Sequence, residues 1–234
     1  MKFTSFQDAL AFIRENPAEY FEEKSLLLFD AFWKGYTSRR GWSEGMRLFM
    51  PGGFHDFVDT KYRNDKNHGA VSVVTLYSKN QAEALDTYFE LIDEYLSQQR
   101  EVGNENAIET ESVDAAFSEL LPALLERPAM YLGRRSFYLL AAFISGWFRA
   151  VSDFGIELSD YERRFIDLLK YIEEFDINLL GPTWNSIVWF HTMNDEDAFR
   201  LFSEYVEEFV NQQKGTIKCI EYHMNRRLDA RNGG

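Results

Sequence analysis

The chain reads as an all-α protein made of two pseudo-symmetric helical repeats, an internal duplication, followed by a C-terminal helix. Three observations predict this. Residues recur in order at a nearly constant offset along most of the chain. Apolar residues return at helical spacing in one segment after another. Only 5 Pro and 14 Gly stand among 234 residues, too few for a loop-rich chain.

The offset of 111 takes Pro17, Ala18 and Tyr20 to Pro128, Ala129 and Tyr131. It takes Ser25, Ala31, Phe32 and Gly35 to Ser136, Ala142, Phe143 and Gly146. Phe54 and Asp56 recur as Phe165 and Asp167. The match resumes at an offset of 114, where Ser72, Val74, Ala84 and Gln98 become Ser186, Val188, Ala198 and Gln212. The repeats are expected over 1–100 and 112–213. A polar linker at 101–111 separates them, and 214–234 forms a basic helix or tail.

Each element has its own justification. Phe6, Leu10, Ala11 and Ile13 follow helical spacing until Asn16-Pro17, because a residue before proline is pushed out of the α region. Phe117 to Glu126 repeats this and stops at Arg127-Pro128. Ser25 and Ser136 stand where an N-cap would satisfy orphan amides of strongly apolar helices, Ser25 to Tyr36 and Ser136 to Val151. Tyr161 to Phe175 is the third helix of the second repeat. Pro51-Gly52-Gly53 disturbs its first-repeat equivalent. Val71 to Tyr77 and Ile187 to Phe190 are rich in β-branched residues, and runs so short fit strand or buried helix. Repeat logic and helical surroundings favour helix. Gln81 to Gln99 and Asn194 to Gln213 carry amphipathic stripes. Asp195, Glu196 and Asp197 fill the first turn of the latter, where the helix dipole favours acids.

Net charge is −13, and it is uneven: residues 214–234 carry +3 and the remainder −16. An acidic surface repels phosphate backbones and anionic lipid, so neither nucleic acid nor membrane is an expected partner. It suits a basic protein partner, since complementary charge speeds association and selects the partner. No apolar run approaches the roughly 20 residues that span a bilayer. The single Cys219 excludes an internal disulfide framework. With no signal-peptide h-region at Met1 to Asp8, a cytoplasmic location is the expectation.

Catalytic motifs are nearly absent. His55, His68, His191 and His223 are scattered, none three or four residues from another His or from Cys, so no metal site is expected. His55 and Asp59 would share a helix face, an arrangement more often a surface contact than a dyad. Asn64 to Gly69 begins like a calcium loop but fails at Lys66 and Thr75, and reads as a polar turn. Arg127-Pro128-Ala129-Met130-Tyr131-Leu132-Gly133 is similar to the RPGMYIG string of type II topoisomerase ATPases. The rest of that ATP site is missing, so the string reads as a packed turn in which Pro128 ends a helix and Gly133 turns the chain. Neither cofactor nor catalytic residue is assigned.

The string from Arg127 to Gly133 is followed by Ser136, by Gly146-Trp147, by Trp184 to Val188 and by the acidic helix Asn194 to Phe209. This combination resembles a group of small acidic bacterial proteins of polymorphic-toxin and contact-dependent inhibition loci. The resemblance covers about 112–213 and the first repeat weakly. It implies an immunity protein, a non-enzymatic inhibitor that occludes a basic toxin domain. The surface expected to meet that partner comprises Trp184, Asp195, Glu196, Asp197, Glu204, Glu207 and Glu208, along the acidic helix or in a groove between the repeats. Exposed aromatics beside acids make good anchors. A structural or regulatory homo-oligomeric module, such as a homodimer, is the alternative. An enzyme built around His55, Asp56 and Asp59 is the least favoured.

Overall fold

The computed structural model describes residues 6–17, 23–39, 53–64, 68–102, 116–175 and 183–211, and among them every regular element is a helix. In chain order these are α1 (Phe6–Glu15), α2 (Leu26–Ser38), α3 (Phe54–Lys61), α4 (Ala70–Tyr77) and α5 (Gln81–Val102). Then come α6 (Phe117–Glu126), α7 (Pro128–Leu132), α8 (Phe137–Phe154), α9 (Asp160–Phe175), α10 (Trp184–Thr192) and α11 (Asp195–Asn211). The expected C-terminal helix at 214–234, most of the linker and the tip of the turn after Asn64 lie outside the described residues.

Two compact units emerge: 1–116 together with 142–157, and 117–141 together with 158–234. Helix α8 therefore contributes its first turn to one unit and the remainder to the other.

The helices begin where side chains satisfy their orphan amides. Ser25 Oγ accepts from the Leu28 amide at 3.4 Å, and Ser136 Oγ accepts from the Leu139 amide at 3.4 Å. Asn80 and Asn194 open α5 and α11, their Oδ1 atoms accepting from the amides of Glu83 (2.9 Å) and Asp197 (2.8 Å). At α9 the signature Ser159-x-x-Glu162 forms a capping box. Ser159 Oγ accepts from the Glu162 amide at 3.2 Å, and Glu162 Oε2 accepts from the Ser159 amide at 2.8 Å. That reciprocity explains why Glu162 is buried.

In the first unit, α1 buries Leu10 and Ile13, while Ala11 of the expected stripe is exposed. Helix α2 buries Phe29, Phe32, Trp33 and Tyr36, and Phe29 meets Tyr88 and Phe89 of α5 edge-on at 6.0 and 5.2 Å. Phe54 packs against Tyr88 (5.4 Å) and Tyr95 (5.7 Å) in the same edge-on manner. A buried carboxylate, Asp153, accepts from the Tyr36 hydroxyl at 3.2 Å and from Arg149 Nε at 2.9 and 3.0 Å. These partners compensate its desolvation.

In the second unit, Phe165 of α9 lies at the centre of an aromatic cluster. It meets Phe117 of α6 at 5.1 Å and Phe202 and Phe209 of α11 at 6.4 and 6.0 Å. Phe137 meets Phe202 at 5.7 Å.

Several details differ from the sequence expectations. Helix α5 continues through Gln98 to Val102, into the stretch read as polar linker. Pro128 does not only end α6; it begins the one-turn helix α7 at the position where its missing N–H costs nothing. Gly133, at φ 79°, then closes α7 in the left-handed region. The ambiguous segments are both helical, as α4 and α10, with Val73, Val74, Ile187 and Val188 buried. Helix α3 is short beside α9, and it starts after Gly53 at φ 81°. A Cβ there would come within 2.8 Å of the Tyr95 hydroxyl.

Candidate partner-binding surface

Helix α11 buries Ala198, Phe199, Leu201, Phe202, Tyr205, Val206 and Phe209, a stripe that fixes its orientation in the second unit. The opposite face carries the candidate acids. Glu196 and Glu207 are exposed, and Asp197, Glu204 and Glu208 are half-buried. Positions 196, 200, 204 and 207 are neighbours on one side of a helix.

Arg200 stands among these acids. Its Nη2 donates to Asp197 Oδ1 at 2.8 Å, and its Nη1 lies 3.5 Å from Glu204. The Asp197 hydrogen bond and the surrounding acids push the Arg200 guanidinium above its ordinary value. Sequence reading passed over this arginine, although its spacing of three and four from the two acids was visible. Counting Glu196, Asp197, Arg200, Glu204, Glu207 and Glu208, the face keeps a clear negative excess.

Two of the seven candidate residues have structural tasks instead. Trp184 is buried, 9% exposed, against Phe137 (5.9 Å) and Phe202 (5.0 Å), and its amide donates to Glu173 Oε1 at 3.1 Å. Its ring is core material, because the first turn of α10 faces inward. Asp195 is half-buried, and its Oδ1 accepts from the amides of Phe137 (2.7 Å) and Tyr138 (3.3 Å). It caps α8, where the helix dipole favours a carboxylate. The outward set is thus Glu196, Asp197, Glu204, Glu207 and Glu208.

Compared with known proteins, the chain matches no family model, no curated protein and no solved structure.

Among the described residues, no hydrogen bond joins the residues weighed for catalysis, which share α3. His55 is exposed and its Nδ1 accepts from the Ala70 amide at 3.1 Å. Asp59 instead accepts from Asn64 Nδ2 at 2.7 Å, and Asp56 is exposed. Among the described residues, no three His, Cys, Asp or Glu side chains are grouped to hold a metal ion. No helix among them is long and apolar enough to cross a membrane.

Large apolar side chains are exposed elsewhere. Leu76 (76%) and Tyr77 (62%) end α4, with Tyr77 resting 5.0 Å from the Tyr62 ring. In the second unit Met130 (74%) and Met193 (73%) stand out in α7 and after α10.

Proposed function

We propose that this chain is a non-catalytic binding protein, an immunity-type inhibitor that neutralises a basic toxin domain. The outward acids of α11 are its contact surface. One observation carries the reading: five carboxylates share the solvent side of a helix whose other side is locked into an aromatic core. Such a face is rigid and carries negative potential, which speeds capture of a cationic surface. Toxin nucleases are basic around their active sites because their substrates are anions. The −13 net charge supports the same reading.

The test is a pull-down from the native cell extract at low salt, repeated at high salt. One basic protein in stoichiometric amount, lost at high salt, is the expected result. The Glu204→Gln, Glu207→Gln and Glu208→Gln triple variant should weaken the complex chiefly through its association rate. A salt-insensitive complex, or unchanged binding in the triple variant, would remove α11 from the interface.

The exposed Leu76, Tyr77, Met130 and Met193 favour a second reading, a homo-oligomeric module. Light scattering decides between them: a stable homodimer that no basic protein dissociates supports the module.

A further inference from the structure

The α2–α8 crossing has a reciprocity that a chance helix pair lacks. A Cβ at Gly35 would overlap the carbonyl oxygen of Phe143 and lie 2.8 Å from its carbonyl carbon. A Cβ at Gly146 would overlap the carbonyl oxygen of Phe32 and lie 2.9 Å from its carbonyl carbon. All four residues belong to the first compact unit. Gly146 is the offset equivalent of Gly35, and Phe143 that of Phe32. Each glycine therefore admits the backbone of the other's partner. Residue i meets j′ while i′ meets j, which defines a two-fold, isologous contact.

Equivalent positions also make equivalent bonds away from the crossing. Gln81 Oε1 accepts from the Leu27 amide at 3.1 Å, and its counterpart Asp195 accepts from the counterpart Tyr138 amide at 3.3 Å. Ser78 Oγ donates to the Val74 carbonyl at 2.8 Å, and Thr192 Oγ1 donates to the Val188 carbonyl at 3.0 Å. Phe54 sits against Tyr88 and Tyr95 as Phe165 sits against Phe202 and Phe209. Helices α1 to α5 recur in order as α6, α8, α9, α10 and α11, with α7 added.

We infer that the α2–α8 crossing is a self-complementary interface between two copies of one helical repeat, fused into a single chain. The partner this helix surface fits is a second copy of the same repeat. The two glycines are retained because two-fold packing brings both to the closest approach at once.

A transplant within the full chain tests this. Residues 26–38 are replaced by a second copy of the sequence of 137–149. A self-complementary surface pairs with its own copy, so a cooperative, helical melt is expected, with Tm lowered by no more than about 10 °C. A control carries the residues of 26–38 in scrambled order. A transplant that melts like this control overturns the inference. The same crossing is read without a transplant by Gly35→Ala, Gly146→Ala and their combination. Each single variant is expected to lower Tm by roughly 5–10 °C, because the helices must separate. The double variant should lose clearly less than the two losses added, since one separation relieves both clashes. Unequal single losses, or additive ones, also overturn it.

Discussion

Helices α5 and α11 carry similar numbers of acids but use them differently. In α5, Asp86 pairs with Lys24 at 2.6 Å, Asp93 with Arg14 at 2.7 Å, and Glu94 with Lys61. Three segments of the first unit each lend α5 a cation. In α11, Asp197 and Glu204 pair with Arg200 of their own helix. Cations from other segments of its unit reach α11 through rings: Arg135 lies over Phe199 at 4.9 Å and Arg164 over Phe209 at 5.6 Å. Among the printed ion pairs, the α5 acids are thus met by bases of other segments, and those of α11 by a base of the same helix. The role of a surface acid is set by which bases the fold delivers to it.

The largest effect should be shared by the two helices. Phe54→Ala and Phe165→Ala each remove the ring on which two aromatics of α5 or α11 rest, and each should cost about 3–5 kcal/mol in urea unfolding. A loss confined to one of them would break the parallel between the two cores.

The caps should separate the units. Asp195→Ala removes a carboxylate bonded to two α8 amides and should cost about 1.5–3 kcal/mol. Gln81→Ala removes a neutral acceptor of the Leu27 amide and should cost roughly 1 kcal/mol. Equal losses would mean that the charge of Asp195 adds nothing.

On the surface, Asp93→Asn should cost about 0.2–1 kcal/mol at low salt and less at high salt. Glu207→Gln should change stability by less than about 0.5 kcal/mol. Thermal melts at two ionic strengths check both, and a larger loss at Glu207 would contradict an outward, unburdened α11 face.

The smallest effects concern α9. The Tyr161 hydroxyl is buried with no hydrogen-bond partner among the described residues, and burial pushes its pKa up. Tyr161→Phe should leave stability unchanged or raise it by about 0.5 kcal/mol. The Arg163 hydrogen bond and charge hold the exposed Asp160 carboxyl below its ordinary value. A lowered folded pKa gives stability above the ordinary carboxylate range, lost as pH falls through the folded value. The Tm difference between the native chain and Asp160→Asn should therefore shrink on acidification; growth would reverse the assignment.

Much of this was legible from residues alone. Ser25 and Ser136 mark helix starts because a β-region serine before an apolar run satisfies the same orphan amides anywhere. The Ser159–Glu162 capping box has a sequence signature that a helix begun at Tyr161 leaves unused. Trp184 reads in the sequence as an aromatic anchor beside acids, whereas Phe137 and Phe202 bury its ring. Asp195 resembled its neighbours in sequence, yet it alone of the acidic triplet caps α8 in the described bonds of that helix's N-terminus.

The sequence by itself determined the all-α class, the order of the described helices apart from α7, and the inward stripes of α5 and α11, because periodicity and capping are local. Only the tertiary structure decided which acids face outward, which cap a distant helix, and why Gly35 and Gly146 must be glycine. Those properties depend on what a second segment brings within a few ångströms, and local chain chemistry carries no record of that approach.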